Sequence, residues 1–142
     1  MEKRSKQSLW NFAGDHRLTR LSVVGILQVC DLFLSVSRKD DHNLIGFVGG
    51  KVDEGETIED AIIRETLEET GLHAEIDRDI IPYVARDVDF LVYCFILKLR
   101  DIEHNTIAEH ETGAIRLSSK QQLIDNSPYS KYNIGAFEWF GL

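Results

Sequence analysis

The chain reads as an α/β protein, a mixed β-sheet sandwiched between helices, and three observations predict it. Runs rich in β-branched and aromatic residues lie on both sides of one amphipathic helix. Glycines precede that helix and one glycine closes it, while a second, shorter helix signal follows the last strand-like run. The order strands, helix, strands, helix has no internal repeat and no low-complexity linker. The 142 residues, 43% of them hydrophobic, are therefore expected to form one domain with a real core.

Residues 1–18 are polar with Trp10 and Phe12 embedded, and read as an N-terminal arm that packs one aromatic. Residues 19–37 divide at Val29–Asp31 into two β-rich runs, LSVVGILQ and LFLSVSR, which predicts a hairpin. RKDDHN is a loop, and LIGFV a short strand feeding a glycine turn at Gly49 and Gly50. After the helix, HAEIDRDIIPYVAR and VDFLVYCFILKL supply further strands. RDIEHNTIAEHETG is a polar loop, AIRL a last strand, and SSKQQLIDN a short helix begun by Ser118 or Ser119. Tyr129, Tyr132, Phe137, Trp139 and Phe140 crowd the C-terminus, where core closure is the ordinary reading and base stacking by one of them the lesser alternative.

The central helix lies in GKVDEGETIEDAIIRETLEETGL, residues 50–72. Thr57 reads as an N-cap and Gly71 as a stop, which leaves about 13 helical residues. At about 100° per residue, Glu65, Glu68 and Glu69 fall within about 100° of one another. Like charges so spaced cost on the order of 0.2–0.5 kcal/mol per pair on an exposed helix. Ile63 and Leu67 lie nearly opposite, so the expected buried stripe runs through them and the acidic side faces solvent. A solvated acidic face is the ordinary reading of such a helix. Against it stand Arg64, placed to pair with Glu68 at i+4, and the glycines ahead of the helix. Three carboxylates converging beside glycines make a hard-oxygen site of the kind Mg²⁺ or Mn²⁺ takes, with substrate phosphates completing the coordination.

The same residues carry a family resemblance. Gly50, Glu56, Arg64, Glu65, Glu68, Glu69, Gly71 and Leu72 fill what resembles the Nudix box: Gly, five residues, Glu, seven residues, Arg-Glu, an aliphatic, any residue, Glu-Glu, any residue, Gly and an aliphatic. Thr66 departs, standing where an aliphatic is expected, a change that touches packing rather than the acidic chemistry. The resemblance implies the Nudix fold and hydrolysis of a nucleoside diphosphate linked to another moiety. It implies metal binding by Glu65, Glu68, Glu69 and Glu56, with the Gly49 carbonyl as an extra ligand and Arg64 as the orienting cation. Lys51 is a candidate for phosphate, about evenly matched by a solvated lysine. AEHE places Glu109, His110 and Glu111 in the long loop; a solvent loop is the ordinary reading, but many Nudix enzymes draw a general base from this region, so Glu111, then Glu109, are the candidates.

The substrate class is read from context. Subgroups that cleave ADP-ribose or diadenosine polyphosphates tend to place Pro or Tyr about 15–18 residues past the box; the window here is DVDF, with neither. GGKVDEGETIEDA resembles enzymes that cleave canonical or oxidised nucleoside triphosphates, so the expected reaction is a (deoxy)nucleoside triphosphate to monophosphate and pyrophosphate. Dinucleoside polyphosphates, nucleotide sugars and RNA 5′ ends stay as alternative substrates, and a non-catalytic nucleotide sensor as an alternative class. An isopentenyl diphosphate isomerase is disfavoured, because Cys94 lies in an apolar run.

A net charge of −8 argues against non-specific nucleic-acid binding and against an anionic membrane surface. The basic arm Lys3, Arg4 and Lys6 keeps the RNA 5′ end open. The partner expected is a small nucleoside di- or triphosphate derivative, with the chain itself a monomer or homodimer. Cys30 and Cys94 are expected to be buried free thiols, which suits a reducing compartment. LSVVGILQVCDLFLSV is too short to span a bilayer, and the N-terminal stretch lacks the apolar core of a signal peptide, so a cytoplasmic location is expected. His16, His42, His73 and His104 show no ligand spacing and read as surface residues.

Overall fold

The computed structural model describes residues 20–100 and 114–142. The expected arm at 1–18 and the loop carrying Glu109, His110 and Glu111 lie outside the described residues, as do His16 and His104. In chain order the elements are β1 (Arg20–Ile26), β2 (Gln28–Val29), β3 (Leu32–Ser37), β4 (Ile45–Gly46), β5 (Val48–Lys51), α1 (Ile58–Thr70), β6 (Ala74–Ile76), β7 (Tyr83–Asp87), β8 (Phe90–Leu99), β9 (Ile115–Ser118), α2 (Lys120–Asp125) and α3 (Ser130–Phe140).

The strands form two sheets where one mixed sheet was expected. In the larger, β1 runs parallel to β8 from Arg20 opposite Phe90 to Ile26 opposite Ile96, and antiparallel to β5. The far edge of β8 is shared, with β7 along Phe90–Cys94 and β6 along Leu97–Leu99. The smaller sheet centres on β3, which pairs antiparallel with β2, β4 and β9.

Side-chain alternation explains why β1 and β8 sit at the centre. Leu21 and Val23 of β1, with Tyr93, Phe95 and Leu97 of β8, share one core with Ile58, Ala61 and Ile62 of α1. Val24 and Ile26, with Val92, Cys94 and Ile96, point the other way into a core with Tyr132, Ala136 and Phe137 of α3. Strands apolar on both faces need cover on both faces, so the larger sheet lies between α1 and α3.

The same requirement corrects the expected hairpin. The turn at Cys30–Asp31 exists, but it joins β2 to β3, pairing Gln28 with Phe33 and Val29 with Leu32. The first run leaves at Leu27, and β1 joins the other sheet. Cys30 takes a left-handed φ of 54° in that turn and is exposed, which overturns its expected burial. Cys94 is buried and free as expected. The second helix begins at Ser119, whose hydroxyl accepts the Gln122 N–H in a capping box. The third helix, α3, was not expected from the sequence. It has no side-chain N-cap, and Gly135 interrupts its pattern because the Tyr83 hydroxyl occupies the space where a side chain would stand.

Candidate active site

Helix α1 begins where Thr57 Oγ1 accepts the Asp60 N–H at 3.1 Å, and ends where Gly71, at φ 76°, donates its N–H to the Leu67 carbonyl at 2.8 Å. The expected span of about 13 residues stands. The expected stripe does not: Leu67 is exposed and Ile63 only partly covered, while Ile58, Ala61, Ile62, Thr66, Glu69 and Thr70 are buried. Apolar and acidic residues share one face, ordered along the axis instead of around it. The N-terminal half buries Ile58, Ala61 and Ile62 against the sheet. Further along, Glu65 and Glu69 meet a stretch of strand without side chains, Gly49–Gly50.

Those glycines form part of β5 and not a turn. A Cβ at Gly50 would stand 2.5 Å from the Glu65 carboxyl carbon, and one at Gly49 would strike the Val23 carbonyl. Close approach, not flexibility, is what they provide. Gly55, at φ 79°, is the glycine that makes the turn before the helix.

Glu69 is 6% exposed, and its Oε1 accepts the Gly49 N–H at 2.7 Å. A strand residue directs its N–H and C=O to the same side, so the Gly49 carbonyl also faces this edge of β5. The Lys51 carbonyl, two residues on, does the same and accepts from Arg64 Nη2 at 3.1 Å. The expectation that the Gly49 carbonyl is presented at the site therefore has a geometric basis.

Arg64 stands at the middle of the carboxylates. Its Nε and Nη2 grip both oxygens of Glu56 at 2.8 and 2.9 Å. Its Nη1 donates to Glu65 Oε1 at 3.0 Å and to Glu68 Oε2 at 3.1 Å, the i+4 pair expected from the sequence. Asp53 adds a longer contact at 3.5 Å. Bidentate grip by a planar guanidinium fixes Glu56 more firmly than a lysine would. The Arg64 hydrogen bond holds the Glu56 carboxyl below the usual carboxylate range. Glu65 is shifted the other way: burial raises it, Arg64 opposes the rise, and the charge of Glu68 adds to it. Repulsion among the glutamates, unfavourable at the helix C-terminus as well, is thus offset by one arginine.

Among the described residues, no three His, Cys, Asp or Glu side chains are gathered at cation-ligand spacing. Of the convergence anticipated for Glu65, Glu68 and Glu69, the first two meet through Arg64, whereas Glu69 is held by the Gly49 N–H. What remains available is nonetheless a hard-oxygen set: Arg64 takes Oε1 of Glu65 and Oε2 of Glu68, leaving the second oxygen of each, beside Glu69 and the Gly49 carbonyl. This donor chemistry, with the Glu65 carboxylate brought close over Gly50, fits a divalent cation of the Mg²⁺ type.

Thr66 is fully buried, as an aliphatic would be, and its hydroxyl donates to the Ile62 carbonyl at 2.7 Å. The departure from the box is accommodated inside the helix. His42 and His73 are exposed, as expected.

Beyond β5 the sheet opens into a cavity of about 300 Å³, bordered by Gly49, Gly50, Lys51, Phe90 and Tyr129. Lys51 is exposed at its rim, with its ammonium 5.8 Å from the Phe90 ring centre. A neighbouring cleft of about 340 Å³ brings Arg38 and Lys39 to the same side as Gly49 and Glu69, again with Tyr129 on its wall. Of the C-terminal aromatics, Tyr132 and Phe137 close the core as expected, whereas Tyr129 and Trp139 are more than half exposed. Asp87, Phe90 and Asn133, which line the first cavity, were not singled out by sequence reasoning; no spacing pattern links residues on β7, β8 and α3.

Comparison with known proteins agrees with this geometry. A model of the NUDIX domain matches residues 18–140. A protein of Bacillus subtilis described as a putative 8-oxo-dGTP diphosphatase is 42% identical over 65 residues, 46% of this chain and 43% of the relative, so the match spans less than half the length of that protein. Among solved structures, the Escherichia coli ORF135 protein superposes with a TM-score of 0.64 at 23% identity, covering 87% of this chain and 89% of that one. A UDP-X diphosphatase gives 0.72 at 15% identity, covering 99% and 73%. At such identities the structural likeness speaks for the fold alone, and with the family model spanning nearly all of it, the chain belongs to the Nudix family.

Proposed function

We propose that the chain is a Nudix pyrophosphohydrolase that converts a (deoxy)nucleoside triphosphate, canonical or oxidised, to the monophosphate and pyrophosphate. The observation that carries the reading is the Arg64-bound carboxylate cluster set against the bare Gly49–Gly50 edge of β5, with a nucleoside-sized cavity opening beside the same glycines. The relative described as a putative 8-oxo-dGTP diphosphatase supports the substrate class.

Each group has a defined task. Glu65, Glu68 and Glu69, with the Gly49 carbonyl and Glu56 behind them, would hold Mg²⁺ or Mn²⁺. The ion supplies charge neutralisation of the polyphosphate and acidifies water near phosphorus. Arg64 keeps the carboxylates aligned. Lys51 at the cavity rim, and Arg38 and Lys39 in the adjoining cleft, offer positive charge to the phosphates of an anionic substrate. Glu111, with Glu109 second, takes the proton of the attacking water, since carboxylates that ligate a cation lose basicity. A cytoplasmic enzyme is part of this reading, in keeping with two unpaired cysteines.

The test is a hydrolysis screen over nucleoside triphosphates, dinucleotides, nucleotide sugars and capped RNA, with Mg²⁺, Mn²⁺ or EDTA. Release of pyrophosphate from triphosphates, abolished by EDTA, is the expected result. Turnover of another class alone would reassign the substrate, and no metal-dependent turnover at all would leave the sensor reading in its place. Thermal scans add a second readout, because saturation at a hundred times Kd stabilises by about 2.7 kcal/mol.

A further inference from the structure

A further opening lies at the other end of α3. This groove of about 580 Å³ runs between residues 79–81 and the last turn of that helix, floored by Ile26 and Ile96 and walled by Ile80, Ile81, Trp139 and Phe140. Among the described residues it shares no lining side chain with the cavity beside β5, and no member of the acidic box lines it.

The fold holds these apolar walls in place. Trp139 is 56% exposed, yet its indole N–H donates to the Ile81 carbonyl at 3.0 Å and its ring stands 6.2 Å from that of Tyr83, so its orientation is fixed. Ile81, 62% exposed, follows a turn closed by Asp77, whose carbonyl accepts the Ile80 N–H and whose carboxylate accepts the Asp79 N–H. Large apolar side chains held exposed beside one another mark a surface that another segment covers.

The rim is acidic. Asp79 lines the groove, Asp77 stands two residues before it and Glu138 is exposed next to Trp139, while no lysine or arginine is among the described lining residues. Arg78, between the two aspartates, is turned to Glu59 at 2.8 Å. The occupant that fits is a segment with large apolar anchors flanked by positive charge.

This chain carries such a segment. Residues 1–19 hold Lys3, Arg4, Lys6 and Arg17 against Glu2 and Asp15, in a chain of net charge −8, and set Leu9, Trp10 and Phe12 just beyond the first three cations. The length suits as well. The described chain starts at Arg20, and the groove lies level with Ile26, at the far end of the same strand and about 20 Å away. The stretches from Phe12 and from Trp10 to Arg20 can span about 26 and about 33 Å when extended.

We propose that this groove is the docking site of the chain's own N-terminal segment, with Trp10 seated between Ile81 and Trp139 and with Lys3, Arg4 and Lys6 laid against Asp77, Asp79 and Glu138. The inference stands apart from the hydrolase reading, and the failure of either leaves the other untouched.

The test uses the full chain with fluorotryptophan at both tryptophans, the two fluorine resonances being assigned with Trp10→Phe and Trp139→Phe. A soluble paramagnetic reagent reads their exposure. Expected is a Trp10 resonance broadened at least about threefold less in the native chain than in urea, with Ile81→Asp removing that protection and increasing the broadening at Trp139. A Trp10 resonance broadened equally in native and unfolded chain, or protected but unmoved by Ile81→Asp, would overturn the proposal. Should Ile81→Asp melt early, the double variant Trp10→Ala, Phe12→Ala decides: it leaves the groove intact and should increase the broadening at Trp139, and no increase refutes docking there. Protection of Trp10 that is lost on dilution would assign the groove to the segment of a second copy and overturn the intrachain reading.

Discussion

The Glu69 carboxylate accepts the Gly49 backbone N–H at 2.7 Å, across twenty residues of sequence, and so belongs to the sheet edge as much as to its helix. Glu68, one residue earlier, has a side chain 44% exposed and takes its hydrogen bond from Arg64, on the same helix. Neighbours in the same acidic pair thus have different tasks. Glu68→Gln should lower turnover by roughly a hundredfold and leave the melting temperature nearly unchanged. Glu69→Ala should also cost about 1–3 kcal/mol of stability by orphaning the Gly49 N–H. Denaturant titration of both variants checks this; equal stabilities would mean that the Glu69 contact contributes nothing.

Gly49 and Gly50 should separate stability from activity. An added Cβ at Gly50 meets the end of the Glu65 side chain, which can swing away, so Gly50→Ala should fold and lose roughly a hundredfold in turnover through displacement of that carboxylate. At Gly49 the obstacle is the Val23 backbone carbonyl, which cannot move without parting β1 from β5. Gly49→Ala should therefore lose stability first. Circular dichroism melts beside turnover measurements would show the contrast, and identical behaviour of the two variants would refute it.

The proposed general base, Glu111, lies outside α1. Glu111→Gln should reduce kcat by roughly a hundredfold with little change in the Mg²⁺ half-saturation, measured from pH 6 to 9. If neither Glu111→Gln nor Glu109→Gln costs more than about threefold, the base lies among the carboxylates of the helix.

The two thiols should react at very different rates. Cys30 is exposed in the β2–β3 turn, whereas Cys94 is wholly buried and its thiol is pushed up by burial. A thiol reagent should label one cysteine in the native protein and the second only on unfolding. Replacement of Cys30 by serine should abolish the native signal, and persistent labelling would place Cys94 within reach of solvent.

Much of this molecule is legible in local signals. The caps Thr57, Ser119 and Gly71, the extent of α1, the Arg64–Glu68 pair and the acidic box are set by spacings of a few residues, and short-range geometry decides them. Strand-forming runs are equally visible, because period-two alternation is local. Their partners are not. Whether 19–37 folds back on itself or splits between two sheets depends on which strand needs cover on both faces, a property of the whole assembly. Burial of Glu69 and exposure of Leu67 reverse what a helical wheel predicts, since a wheel does not contain the glycine strand that receives the carboxylates. The cavity joins Ser22, Asp87 and the pair Tyr132 and Asn133 from three distant parts of the chain, and the direction in which the Ser22 and Tyr132 hydroxyls and the Asn133 amide spend their hydrogens exists only once the Gly50, Val92 and Leu123 carbonyls stand beside them. The chemistry of the acidic box is thus written in the order of its residues, whereas what that chemistry faces comes from packing, because burial and hydrogen-bond direction are relations between distant parts of the chain.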